Sequence, residues 1–229
     1  MTDLWLALAF CRQGSPMRPD NPYSAPQVEL IDDLPVRQLP GWSVRQLQVL
    51  GWLALMSALG SALMLGVIFA SSWLGQAELG QVERFTRWLQ LLLMLLGNYL
   101  LIRLKSFIEQ RFAAQGLSWP VWIVVVLALV SGAMDFMVGD QVFKTLSVLT
   151  IAYMVLMVLM GLGIAWFGIR LLKVRLGYAS LRIMAWLSIA SGVMFASVLL
   201  LPLAILPALA VCVAQGLVFL RGASELREQ

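Results

Sequence analysis

The apolar run from Ile183 to Leu220 contains no charged residue, and it constrains the fold more than any other part of this chain. One straight helix over this run would be about 57 Å long, because an α-helix rises about 1.5 Å per residue. The hydrocarbon core of a bilayer is only about 30 Å thick. The run is therefore predicted to form two helices, with Pro202 and Pro207 bracketing the turn.

Composition indicates that lipid is the solvent for most of the chain. Hydrophobic residues make up 61% of it and charged residues 12%, against about half and about a quarter in soluble domains. Only helices and closed barrels satisfy every backbone polar group in lipid. Barrel strands alternate apolar and polar residues, whereas these runs are continuous. The sequence therefore predicts an all-α integral membrane protein.

Six transmembrane helices, arranged as three hairpins, account for the apolar runs. A proline-containing tail over 1–47 is predicted to be disordered in the cytoplasm, and 222–229 forms a short cytoplasmic C-terminal tail. The amphipathic stretch 103–117 either lies at the membrane interface or continues the second helix out of the bilayer. The transmembrane domain covers 48–221, with helices at about 48–73, 85–103, 119–138, 145–170, 182–201 and 204–221.

The positions of Lys and Arg predict that both termini are cytoplasmic. With the N-terminus inside, only Arg84, Arg87 and Lys144 of the 16 Lys and Arg residues lie on the far side, as the positive-inside rule requires. A five-helix chain would move only Arg221 and Arg227 outside, so the length of the last apolar run decides the number of helices. The formal charge of +4 reflects these loops and indicates no nucleic-acid partner.

The N-terminal region contains a short motif, Asn21-Pro22-Tyr23-Ser24-Ala25-Pro26. It resembles the opening of uncharacterised bacterial multi-pass inner-membrane proteins, which begin Asn-Pro-Tyr-x-x-Pro just ahead of their first helix. The resemblance implies a bacterial inner-membrane location and no activity, and it favours Met17 as the natural start. If translation starts at Met1 instead, residues 1–16 are a short interfacial anchor. Their apolar run lacks the basic segment that precedes the apolar core of a signal peptide.

Residue types that carry enzyme chemistry are scarce. Histidine is absent, which removes the commonest general base and metal ligand. Cys11 and Cys212 are the only cysteines, and no Cys or carboxylate cluster has metal-ligand spacing. The pair Gly161 and Gly163 lies in an apolar helix and indicates helix packing. The sequence predicts no enzyme, no cofactor and no metal site.

Five polar side chains are predicted to lie within the apolar helices: Asp135, Asn98, Gln90, Gln215 and Tyr153. A carboxylate in a membrane is a candidate functional group because it is costly to bury. Asp135 has the alternative of lying at the wet outer boundary beside Asp140. The uncharged groups either line a polar path or form hydrogen bonds between helices.

The first predicted helix has small residues at every fourth position: Ala54, Ala58, Ala62, Gly66 and Ala70. Small residues allow helix backbones to approach closely in lipid. This stripe packs either within the bundle or against a homo-oligomer or membrane-protein partner. Ser188, Gly192 and Ala196 repeat the spacing in the fifth helix.

These observations predict a non-enzymatic multi-pass protein of the bacterial inner membrane, with an accessory, scaffolding or sensing role. The alternative is a small-solute or ion transporter or channel subunit that uses Asp135, Asn98 and Gln90. The alternative requires a water-filled path that joins the three side chains.

The predicted topology can be tested with reporter fusions at Gln229 and near Gln76. The two fusions are expected to give opposite signals, because the C-terminus is predicted inside and the first loop outside. A periplasmic C-terminus would contradict the division of the last apolar run into two helices.

Overall fold

The computed structural model describes residues 41–71, 76–138, 148–174, 178–197 and 200–228. Within these ranges the chain is helical and contains no strand. All six helices are long and apolar enough to cross a membrane, so the predicted all-α protein with six spans is confirmed. The helices are α1 (Val44–Ser71), α2 (Gln76–Phe112), α3 (Ser118–Val138), α4 (Val148–Leu172), α5 (Ala179–Ala196) and α6 (Leu201–Glu228).

Several sequence predictions concern residues outside the described ranges. These residues are the tail over 1–40, with its Asn-Pro-Tyr motif and Cys11, together with Asp140 and Lys144 in the predicted outer loop.

Helix α2 is longer than predicted at both ends. It begins at Gln76, so most of the predicted polar link over 74–84 is helical, as its Gln, Ala and Glu residues favour. At the other end it continues to Phe112 as one helix. The amphipathic stretch is therefore an extension of α2 and not a separate interfacial helix. The helix ends where Ala113 takes a positive φ of 48°.

The turn in the last apolar run lies earlier than predicted. Helix α5 ends at Ala196 and α6 begins at Leu201, so the prediction that Pro207 bounds the turn is wrong. Pro202 occupies the first turn of α6, where a missing backbone N–H breaks no helical hydrogen bond. Pro207 lies inside α6, where neighbouring helices can compensate the freed carbonyl. Helix α6 also continues to Glu228, through most of the predicted C-terminal tail.

The helices form a bundle in which each packs against its neighbour in the chain and α6 returns to α1. The start of α1 lies beside the end of α2, where Trp42 Nε1 donates a hydrogen bond to Gln110 Oε1 at 2.6 Å. The end of α2 lies beside the end of α6, where Arg111 pairs with Glu225 at 2.8 Å. We call this end of the bundle the basic end; α1 and α3 end at the opposite end.

The main apolar core lies toward the basic end. Phe107 from α2 and Phe219 from α6 are fully buried, with ring centroids 6.0 Å apart. Leu104 and Ile108 share the buried face of α2 with Phe107, which is the face that the amphipathic pattern of 103–117 defines. Trp42 contacts Phe107 edge to face at 5.8 Å. The extension of α2 is therefore held by apolar packing.

Glycine residues bring the backbones of α4 and α5 together. A Cβ added at Gly161 would lie 2.5 Å from the backbone nitrogen of Ala196, and one at Gly168 would lie 2.8 Å from the carbonyl oxygen of Ala185. Gly192 faces Gly161 across the same contact. In lipid, such close approach provides dispersion contacts that apolar burial alone does not. The predicted packing roles of Gly161 and of the α5 stripe are confirmed here.

Replacing Gly192 by Ala is expected to destabilise the protein, because the added methyl would lie 2.5 Å from Ala165 N and 2.5 Å from Gly161 O. Overpacking of this kind costs about 1–3 kcal/mol. Gly97→Ala is the matched control, since a Cβ there meets nothing within 4 Å. Thermal unfolding in detergent should show a lower midpoint for Gly192→Ala alone. Equal midpoints for the two variants would contradict the close α4–α5 contact.

Candidate functional site

Three of the five predicted polar side chains meet where α2, α3 and α4 adjoin: Gln90 is exposed, Asp135 half-buried and Tyr153 buried. Gln90 from α2 donates a hydrogen bond through Nε2 to Asp135 Oδ2 of α3 at 3.4 Å. The Tyr153 hydroxyl of α4 is also hydrogen-bonded to the Asp135 carboxylate. Residues from three successive helices therefore converge on one carboxylate. We call Gln90, Asp135 and Tyr153 the polar cluster.

The surroundings of the polar cluster are apolar. Tyr153 packs with Met157, and Met134 and Met160 lie against this pair. A buried or half-buried carboxylate in a membrane requires such hydrogen bonds to offset its desolvation. The cluster therefore links α2, α3 and α4 with polar bonds, and its Tyr153 side lies among apolar residues.

The chemistry open to the polar cluster is narrow. One carboxylate with an amide and a phenol can exchange a proton or contact a monovalent cation. Among the described residues, no group of three or more His, Cys, Asp and Glu side chains could hold a metal ion.

Asn98 and Gln215 do not join the polar cluster through any hydrogen bond of the described residues. Asn98 Nδ2 in α2 and Gln215 Nε2 in α6 are buried nitrogens without a hydrogen-bond partner. The predicted interhelical hydrogen bonds are therefore observed for Gln90 and Tyr153, and not for the side-chain nitrogens of these two amides.

Helix α1 divides the predicted small-residue stripe into two halves. Ala54 and Ala58 are buried, with 0% and 7% exposure. Ala62, Gly66 and Ala70 are exposed. Before the stripe begins, α1 also contacts α6, where a Cβ at Gly51 would lie 3.2 Å from the carbonyl oxygen of Gly216. Packing within the described bundle therefore uses only the first half of the stripe.

A second polar network, which sequence reasoning missed, lies at the basic end. Tyr178 donates a hydrogen bond to Glu225 Oε2 at 2.6 Å, and Arg111 pairs with the same oxygen at 2.8 Å. Phe112 packs edge to face against Tyr178 at 5.3 Å, and the Arg221 guanidinium lies 5.6 Å from the Tyr178 ring centre. This network joins the end of α2, the start of α5 and the end of α6. Its members are far apart in the chain, so no local pattern marks them.

The environment of Tyr178 changes its acidity. Burial raises the pKa of the Tyr178 hydroxyl to about 12 from an ordinary value of 10.0, and the hydrogen bond to Glu225 adds to the effect. Tyr178 is therefore neutral at physiological pH and acts as a hydrogen-bond donor to the Arg111–Glu225 pair.

Tyr178→Phe is expected to lower stability by about 1 kcal/mol at neutral pH, because it removes a hydrogen bond to a carboxylate that is partly exposed. Unfolding midpoints of the parent and the variant should converge from about pH 10 to about pH 12. In this pH range the Tyr178 hydroxyl loses its proton in the unfolded chain before it does in the folded protein. The stabilisation that the hydroxyl gives the folded parent is therefore lost as the pH rises. The variant itself is the control for the other titrating groups. A gap that stays constant across the window would contradict the role of this hydroxyl.

Comparison with known proteins adds no functional assignment to this geometry. The chain matches no protein-family model, and neither a curated protein nor a solved structure is significantly similar to it. The function is therefore inferred from the residues of the chain itself.

Proposed function

We propose that this polytopic membrane protein is a non-enzymatic accessory, scaffolding or sensing component of a bacterial inner membrane, and that it associates with a second copy through α1. The observation that carries the proposal is the uncovered second half of the small-residue stripe. A Cβ at Gly66 would meet nothing within 4 Å, and Ala62 and Ala70 are exposed on the same helix. The bacterial location and the cytoplasmic termini rest on the Asn-Pro-Tyr motif and on the distribution of Lys and Arg.

The contrast with α4 and α5 supports an interface on α1. There, Gly161 and Gly192 bring two backbones into contact. Helix α1 carries the same four-residue spacing of small residues, yet its second half contacts no neighbouring helix of the described bundle at Gly66. Small residues favour close helix packing in lipid because bulky side chains hold backbones apart.

A second copy is the partner that the stripe fits best. A stripe with a period of four residues presents the same small surface to itself when two copies are related by a twofold axis along the membrane normal. Such an arrangement needs no complementary sequence on another protein. Residues Ala62, Gly66 and Ala70 of each copy would then face their counterparts.

Disulfide crosslinking in isolated membranes tests this association. In a chain with Cys11 and Cys212 replaced by Ser, Gly66→Cys is expected to give a covalent dimer on mild oxidation, because the two α1 backbones are close. Val155→Cys is the matched control, since Val155 is a 53% exposed position on α4.

The crosslinked product distinguishes the possible partners by its mass. A dimer from Gly66→Cys and not from Val155→Cys would support self-association. A product of different mass would identify another membrane protein as the partner. Absence of any product, or equal dimer from both variants, would contradict an interface on α1.

The polar cluster favours the second candidate function, a small-solute or ion transporter or channel subunit. A membrane carboxylate that contacts two further helices is a common element of proton and ion pathways. Asn98 lies on the same helix as Gln90, about 12 Å farther along the axis. A continuous water path that joins the two levels would distinguish this function from a scaffold.

A further inference from the structure

We propose that a groove between α1 and α2 at the basic end binds one anionic phospholipid, with the lipid phosphate on Arg103 and Arg45 and an acyl chain along Val49 and Leu53. The proposal is independent of any association through α1. The groove encloses a cavity of about 270 Å³. Its lining includes Trp42, Arg45, Val49, Leu53, Tyr99 and Arg103.

The Arg103 guanidinium is held in place by two aromatic rings. Its Nε donates a hydrogen bond to the Tyr99 hydroxyl at 3.2 Å. Its central carbon lies 5.6 Å from the Tyr99 ring centre and 5.8 Å from that of Trp42. A planar guanidinium that is already oriented loses little freedom when it binds a phosphate with two hydrogen bonds.

Trp42 is itself fixed by its neighbours, so it forms a stable side of the groove. Its Nε1 donates to Gln110 Oε1 at 2.6 Å, and its ring packs against the buried Phe107. Next to it, Ser43 and Gln46 exchange hydrogen bonds at 3.2 Å each, which is the capping box of a helix start. This exchange orders the first turn of α1, which carries Arg45.

Two basic side chains of α2 near this end have acidic partners, whereas Arg45 and Arg103 have none among the described residues. Lys105 pairs with Glu109 at 3.5 Å, and Arg111 pairs with Glu225. No carboxylate of the described residues pairs with Arg45 or Arg103. Two cations at one groove, neither paired with a carboxylate of the described residues, favour an external anion.

The groove changes from cationic to apolar in the direction of the bilayer. On α1, Val49 and Leu53 follow Arg45 by one and two helical turns, and on α2, Tyr99 lies one turn deeper than Arg103. Val49 is 50% exposed and Tyr99 45% exposed, so the groove opens to the outer surface of the bundle. This polarity matches a phospholipid, whose phosphate lies at headgroup level above its acyl chains. Basic pockets between transmembrane helices bind anionic headgroups in this way.

Native mass spectrometry of the detergent-purified protein with added phosphatidylglycerol tests the proposal. The parent is expected to retain one phosphatidylglycerol more tightly than phosphatidylcholine. Arg103→Gln should weaken phosphatidylglycerol binding about tenfold, which corresponds to about 1.4 kcal/mol. Arg182→Gln is the charge-matched control, because Arg182 is an exposed arginine on α5 outside the groove.

A second variant separates a lipid from a free phosphate and does not alter charge. Val49→Trp fills the apolar part of the groove at a half-exposed position, so it should weaken phosphatidylglycerol binding while the fold is retained. Millimolar inorganic phosphate should not displace the lipid.

Three outcomes would overturn the proposal. Equal affinities for the two lipids would show that the phosphate site does not select anionic lipid. Equal losses in Arg103→Gln and Arg182→Gln would indicate a diffuse basic surface. Displacement by inorganic phosphate, with no effect of Val49→Trp, would indicate a site for free phosphate.

Discussion

Close approach of helix backbones is the constraint on which the bundle depends. Lipid chains are as apolar as the side chains they contact, so burial of apolar surface does not drive helices together within the bilayer. Where two glycines face each other across a crossing, the backbones meet: Gly161 and Gly192 join α4 to α5, and Gly51 and Gly216 join α1 to α6. The α4–α5 and α1–α6 contacts are among the most extensive contacts of the fold.

Helix contacts that lack such glycine pairs depend on side chains. The polar cluster lies at two of these contacts, between α2 and α3 and between α3 and α4. Between α2 and α3, the side chain of Met94 fills the space beside Gly132, so the backbones remain farther apart. The hydrogen bonds from Gln90 and Tyr153 to Asp135 cross these looser contacts. The carboxylate there supplies polar bonds between helices that pack less extensively than α4 does against α5.

How much of the fold and of the polar cluster the sequence predicts depends on whether the cause lies within one segment or in contacts between distant segments. The six spans follow from apolar runs of a length that a bilayer fixes, so the sequence predicts them. The turn after α5 was misplaced because proline is acceptable in the first turn of a helix and inside a packed membrane helix. Gln90, Asp135 and Tyr153 could be selected as polar residues in apolar helices. Their convergence depends on which helices are neighbours. The Tyr178–Glu225–Arg111 network spans 47 and 114 residues of sequence, and no periodic pattern records such contacts.

The basic residues near the α2 and α6 ends have more than one role, although the positive-inside rule treats them alike. Arg111 and Lys105 are paired with acidic side chains and stabilise the end of α2 where it leaves the apolar region. Arg103, two residues before Lys105 and eight before Arg111 on the same helix, instead packs between aromatic rings and has no described carboxylate partner. An ion pair satisfies its own charges, whereas an oriented and unpaired guanidinium retains its capacity for an anion. The count of Lys and Arg predicts orientation, and their local partners decide which of them remain available to the membrane.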